Sequence, residues 1–285
     1  MSKLKVAIQK KGRLNEKSIR LLKESGINIS NGTSSLRAEA RNFPIEVLFL
    51  RDDDIPQYVE QQVADVGILG ENEVFEKGKN VDIIEQLGFA HCRLSLAIPK
   101  SDEYPSLDYF NNKKIATSYP NILADFFKKN NISAEIEEIS GSVEISPSIG
   151  ISDAICDIVS TGSTLITNGL REVETVIKSQ AVLVANKNLS EEKKEILDNL
   201  LFRIKAVQRS SEYKYILLNA PDKSIPTISD VLPGMKSPTV LPLAEKGWSS
   251  VHSVVKEDEF WEVIDQLKAL GAEGILVLSI EKMII

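Results

Sequence analysis

The pattern of apolar and polar positions divides the chain into strands and helices that follow one another in turn. Residues 4–8 form a short apolar run of strand character, and Ile19, Leu21 and Leu22 then fall on a helix over 18–25. Gly26 stands where a left-handed C-cap stops a helix. A second strand is predicted over 45–50, and Pro56, suited to a first helical turn, opens a helix carrying Tyr58, Val59 and Val63. Residues 65–70 read as a buried strand that ends in a glycine turn. Such alternation predicts a mostly parallel sheet with helices on its faces. The rhythm restarts after Pro99, with strands over 114–117, 134–139 and 155–159 and a helix over 122–129. A returning strand over 181–185 and an amphipathic helix over 190–205 follow. Two similar α/β lobes joined by crossing strands leave a cleft between them, a common place for ligands.

From Tyr213 the order changes. Strands are predicted over 215–218, 239–243, 248–255 and 274–280, with helices over 228–232 and 257–270. In the second helix Phe260, Ile264 and Leu267 share one face, so a small core is expected there, with Trp248 and Trp261 contributing. The order βαββαβ is the ferredoxin-like arrangement. The polar run Gln208-Arg209-Ser210-Ser211-Glu212 marks a boundary at about 206–213.

Composition narrows the classes. The 285 residues are 42% hydrophobic and 26% charged, enough apolar material for two or three domains and too much for disorder. A net charge of -7 with dispersed Lys and Arg argues against a nucleic-acid partner. The two cysteines, Cys92 and Cys156, have no metal-type spacing, and Cys156 inside an apolar run is expected to be a buried small hydrophobe. No leader pattern and no apolar run of membrane-spanning length is found, so a cytoplasmic protein without a membrane partner is expected.

The segment richest in chemistry runs from Gly141 to Gly169. An apolar strand enters the turn Ser160-Thr161-Gly162-Ser163-Thr164-Leu165, after which a helix starts. Backbone N–H groups at such a start form an anion site, and the hydroxyls add donors. Asp153 and Asp157 precede the turn, placed to accept hydrogen bonds from a diol. Phosphate on the turn and diol on the acids describe a ribose 5-phosphate. A plain tight turn would use the same residues, and the turn alone serves both readings. Asp52, Asp53 and Asp54 read as caps of the helix at Pro56. His91 beside Cys92 reads as a packed pair at a crossing rather than a catalytic dyad.

The wider pattern is specific. The run Glu144-x5-Gly150-x-Ser152-x2-Ile155-x-Asp157-Ile158-x2-Thr161-Gly162-x-Thr164-Leu165 resembles the signature of the ATP phosphoribosyltransferase family. Further likenesses are Gln9-Lys10-Lys11-Gly12-Arg13-Leu14, Arg51-Asp52-Asp53-Asp54-Ile55-Pro56, the run 65–72, the run 92–97 and Ala116-Thr117-Ser118-Tyr119-Pro120. The tail, with Pro238 to Leu243 and Ile275 to Leu278, is similar to the family's long form, which carries an ACT-like regulatory domain. Two departures concern loops: residues 73–82 are shorter than in some relatives, and Lys11 replaces a common small residue.

The resemblance implies an α/β fold with a two-lobed, periplasmic-binding-protein-like catalytic region and a ferredoxin-like (ACT-like) domain. Its bounds would be 1–95 with 180–208 for lobe I, 96–179 for lobe II and 212–285 for the regulatory domain. It implies transfer of the phosphoribosyl group of phosphoribosyl diphosphate to N1 of ATP, with diphosphate leaving, as the first step of histidine biosynthesis. Mg²⁺ would arrive with the phosphoribosyl diphosphate, and no residue is assigned as a metal ligand. Residues 160–165 would hold the 5-phosphate, Asp153 and Asp157 would face the ribose, and Glu144 the ribose or the hydrated magnesium. Lys10 and Arg13 follow the first strand, where open α/β sheets bind ligands, and would neutralise phosphates. Arg93 and Glu71 would serve the ATP or diphosphate side. Histidine would act as inhibitor on the last domain, at Asn219, Thr239 and Leu241, and the protein would be a homo-oligomer, dimer to hexamer. Two rivals share parts of the pattern: a phosphoribosyltransferase with another nitrogen acceptor, and a two-lobed binding or sensing protein.

Overall fold

The structure, a computed structural model, describes residues 2–29, 36–232 and 234–284. The chain forms two compact units, Met1–Lys23 with Ile27–Asp198, and Glu24–Gly26 with Asn199–Ile285. The first unit opens with β1 (Leu4–Gln9), α1 (Arg13–Glu24), β2 (Arg37–Glu39), β3 (Ile45–Leu50) and α2 (Ile55–Glu60). Next come β4 (Val66–Gly70), α3 (Glu71–Lys77), β5 (Val81–Gln86) and β6 (Cys92–Pro99). Then follow β7 (Lys114–Thr117), α4 (Pro120–Lys129), β8 (Glu135–Glu138), β9 (Ala154–Val159) and α5 (Ser163–Thr167). Strands β10 (Leu170–Ser179) and β11 (Ala181–Asn186) lead into α6 (Glu191–Ser211), which carries the chain into the second unit.

Two sheets build the first unit. The first has the order β2-β3-β1-β4-β11-β5 and the second β10-β6-β9-β7-β8. Their centres are parallel, β3-β1-β4 and β9-β7-β8, as the alternation of elements predicts. Both sheets are nevertheless mixed, because β11, β6 and β10 pair antiparallel with their neighbours. These are the crossing strands. They leave one sheet and enter the other, so they run against the strands they join. The two crossing segments are zipped together, Leu87 N donating to Ala181 O and Ala181 N to Phe89 O, both at 2.9 Å.

Burial on both faces explains the apolar strands. Leu4, Val6 and Ile8 of β1 are fully buried, and Ala7 packs with Ile55, Val59 and Val184 on the other face. Gly67 lets α2 lie close: a Cβ there would sit 2.5 Å from Ile55 Cγ2. In the second sheet Leu94, Leu96, Phe110, Phe127 and Cys156 form the core under α4. The opposite face packs Ala97, Ile155, Val159, Leu165 and Leu170 together around α5.

The second unit has β12 (Tyr213–Pro221), α7 (Ile225–Val231), β13 (Thr239–Pro242), β14 (Trp248–Lys256), α8 (Glu257–Ala269) and β15 (Glu273–Ser279). The sheet order β13-β14-β12-β15, antiparallel throughout, is the ferredoxin-like one. Ile216, Leu218, Ile228, Val251, Phe260 and Leu267 form its core. Trp261 is a correction: it is 66% exposed, because one residue's step along α8 turns it away from the face that buries Phe260.

Candidate active site

Strand β9 aims its end at the site. Alternate side chains of a strand face opposite sides, so Ile155, Asp157 and Val159 share the α5 face while Cys156 goes to the α4 core. Val159 hands the chain to the turn, where Gly162 adopts φ +80°, a left-handed conformation costly for residues with a Cβ. Ser160, Thr161, Ser163 and Thr164 are exposed, and the Thr161 and Ser163 hydroxyls meet at 3.1 Å. Leu165, by contrast, is 5% exposed and anchors the turn in the core; its side chain is no ligand contact.

Asp157 is half-buried and accepts a bond from Ile158 N at 2.8 Å. Burial, and then the charge of Glu144, holds its carboxyl above the usual carboxylate range. Glu144 lies in the single turn Val143–Ile145, fixed by Val143, which is 2% exposed in the same core as the phosphate-suited turn. Asp153 is not brought to this end. It precedes β9, and a six-residue strand spans on the order of 20 Å. There its carboxylate accepts from Lys114 N at 2.8 Å and pairs with Lys113 Nζ at 3.8 Å. The ribose-facing expectation for Asp153 is therefore corrected: it pins β9 to the start of β7. Arg93 on β6 forms a bidentate ion pair with Glu172, 2.5 Å at both nitrogens, and reaches Ser160 O at 3.5 Å.

The first sheet supplies the facing wall. Lys10 and Arg13, both exposed, follow β1, and Lys10 N donates to Leu50 O at 2.7 Å. Glu71 starts α3 and is tied by its N–H to Gln180 O at 2.9 Å. Sequence reasoning gave no role to the residues that join the walls, although Asn72 and Tyr119 stand in two of the likeness runs. Tyr119, just before α4, donates its hydroxyl to Glu73 Oε1 at 3.0 Å, and Asn72 Nδ2 donates to the same oxygen. Glu76 accepts Asn121 N and Ile122 N at 3.0 Å each, so a carboxylate of α3 caps α4 of the other lobe. Asp52 likewise departs from expectation: neither its short helix nor α2 shows a side-chain cap. Its Oδ1 is buried without a hydrogen-bond partner among the described residues. Burial, with the charges of Glu73 and Asp53, pushes the Asp52 carboxyl up to about 7. Burial also raises Glu73, and the Tyr119 hydroxyl is raised by burial and by Glu73, Asp157 and Asp52. Acids from the ends of β3, β4 and β9 thus converge on Tyr119. The signal for them lay in pairings dozens of residues apart, which no local pattern displays.

In the second unit Asn219, Ser250 and Leu241 form one cross-strand row, and Thr239 pairs with His252 in the next. All lie on the face opposite the helices, since Leu218 and Val251 face the core. His252 Nδ1 meets Tyr215 OH at 2.8 Å and its Nε2 meets Ser250 Oγ at 3.1 Å. Among the described residues no group of three His, Cys, Asp or Glu is arranged to hold a metal ion, and no helix is long and apolar enough to cross a membrane.

Parallel strands that aim an anion-suited turn and several carboxylates into one cleft define a two-lobed ligand-binding α/β fold. A substrate binding protein of an amino acid ABC transporter shares that fold, with a TM-score of 0.50 over 73% of this chain and 93% of that chain at 12% identity. A chain of the ATP phosphoribosyl transferase (HisG:HisZ) complex from Thermotoga maritima is more similar, TM-score 0.62 at 31% identity, covering 71% of this chain and 96% of that one. Residues 51–206 match the HisG family of ATP phosphoribosyltransferases, and 210–282 match the HisG C-terminal domain. ATP phosphoribosyltransferases of Cytophaga hutchinsonii and Bacteroides thetaiotaomicron are 60% and 61% identical over 99% of this chain, covering 98% and 100% of those proteins. The chain belongs to the ATP phosphoribosyltransferase family, pentosyltransferases of histidine biosynthesis, in its long form with a C-terminal domain. ATP and phosphoribosyl diphosphate are the substrates that this activity implies.

Proposed function

We propose that the turn 160–165 holds the 5-phosphate of phosphoribosyl diphosphate while Asp157 takes the ribose hydroxyls and N1 of ATP attacks C1. The observation that carries this reading is the shared strand end of β9, which presents Asp157 and the left-handed turn at Gly162 together. Adenine N1 offers a lone pair, and diphosphate leaves readily once its charge is neutralised, so positioning and electrostatics suffice. The absence of a need for a general base agrees with the placement of the histidines: His91 lies in a crossing segment and His252 in the second unit. Lys10 and Arg13 neutralise phosphates from the facing wall, and Glu71 serves the ATP side.

Mg²⁺ suits this site as a guest of the substrate. Magnesium keeps several waters and is commonly held by one or two carboxylates plus substrate phosphates, and Glu144, whose charge acts on Asp157, would supply one. The charge of the ion would neutralise the leaving diphosphate. The open sheet face with Asn219, Thr239 and Leu241 receives histidine as the end-product inhibitor, in a cytoplasmic homo-oligomer built from this chain. Coupling of that kind requires two sites and two states of differing affinity.

The test is turnover. Diphosphate release is expected from ATP plus phosphoribosyl diphosphate with Mg²⁺, and not when adenine or nicotinate replaces ATP. Thr161→Val is expected to raise KM for phosphoribosyl diphosphate about tenfold, one lost phosphate hydrogen bond. Product with a free base but none with ATP would overturn the acceptor, and an unchanged KM would overturn the loop.

A further inference from the structure

Three strands meet beneath the phosphate-suited turn. Strand β6 lies between β9 and β10, and residues 160–169 are the excursion that leaves β9, makes the turn and α5, and comes back as β10, whose third residue is Glu172. Arg93 of β6 pairs with Val159, the last residue before that excursion. Its guanidinium ties the start of the excursion to the strand that follows it: Nη1 donates to Ser160 O at 3.5 Å, while Nε and Nη2 donate to the two oxygens of Glu172 at 2.5 Å. Fork-to-fork pairing of this kind fixes geometry as well as charge. Bonding to Glu172 raises the Arg93 pKa, and the same bond lowers that of Glu172, so both partners stay ionised.

We propose that Arg93 and Glu172 form a clasp that positions the turn 160–165 for an anionic sugar phosphate, acting through the turn rather than as ligand contacts. The proposal rests on reading that turn as the phosphate site. A carboxylate close to an anion site repels its ligand unless a cation is fixed to it. Arg93 neutralises Glu172 and, with the same side chain, holds the first residue of the turn. The pair is therefore asymmetric: loss of Arg93 leaves an unmatched carboxylate near the phosphate, whereas loss of the Glu172 charge leaves an unmatched cation.

Steady-state kinetics on the full chain test this with Arg93→Met, Glu172→Gln, the double variant and Thr164→Val, alongside thermal melts. Arg93→Met is expected to raise KM for phosphoribosyl diphosphate about tenfold, with kcat and KM for ATP within about threefold. Glu172→Gln is expected to raise it about threefold, and the double variant to match Glu172→Gln rather than the product of the two. That rescue separates a clasp from a direct contact, which removing Glu172 would not restore. If the single effects multiply, if KM for ATP rises in parallel, or if Glu172→Gln changes nothing, the clasp is wrong. Thr164→Val separates the premises: raised KM there with silent clasp variants defeats the clasp alone, and silence in all four variants defeats the phosphate turn as well.

Discussion

Two aspartates accompany strand β9, Asp153 just before its first residue and Asp157 near its last, and the two are used in opposite ways. At the start, Asp153 lies outside the strand with both oxygens engaged where β7 begins, by the backbone N–H of Lys114 and the side chain of Lys113. At the finish, Asp157 is half-buried, its carboxyl raised in part by the charge of Glu144, and among the described residues it is bonded only to its own strand's next N–H. The first arrangement satisfies a charge and so stabilises the sheet. The second leaves a charge imperfectly satisfied, which costs stability and leaves bonding capacity for a ligand.

The largest expected effect breaks this contrast directly. Asp157→Asn is expected to lower kcat/KM about a hundredfold while leaving the melting temperature at neutral pH unchanged or raised. Asp153→Asn is expected to do the reverse, with activity within about threefold and a stability loss of about 1 kcal/mol. Equal losses of activity at both positions would erase the distinction.

Glu76 comes next, a satisfied carboxylate on the cleft wall. Glu76→Ala removes the cap of α4 and is expected to cost about 1–2 kcal/mol in chemical denaturation. Asp52 offers the opposite case, with its carboxyl pushed up to about 7. The native state then holds that proton more tightly than the unfolded chain does, so the stability this contributes is lost as pH rises from about 4 through about 7. Asp52→Asn should therefore raise the melting temperature at pH 8 and change it little at pH 5, by melts across that range. The smallest effect belongs to exposed Trp261, where Trp261→Ser is expected to stay within about 0.5 kcal/mol.

Much of this fold was legible because burial writes a clear pattern. Strands β1, β4, β9 and β11 are apolar runs buried on both faces, and α8 shows its stripe at Phe260 and Leu267. Strands β5 and β10 were missed, since VDIIEQ and LREVETVIKS mix charge with apolar residues in no clean period. The turn at Gly162 was legible as an apolar strand running into hydroxyls and a glycine. Asp153 was misplaced for a geometric reason: counted along the chain it is close to the turn, but an extended strand separates them. Glu73 carried no local signal, and Tyr119 stood in a likeness run without a role, because their meaning arises only when the two lobes meet.

The position of β11 has a consequence for synthesis. Among the described residues strand β5 pairs with β11 alone, and β11 also completes β4. A nascent chain that has released Gln86 must therefore extend by about a hundred residues, through the whole second lobe, before its first sheet can close. At ordinary translation rates that interval is on the order of ten seconds, during which an unpaired edge is open to other chains. For that time the edge of β4 that β11 later covers stays without its partner strand.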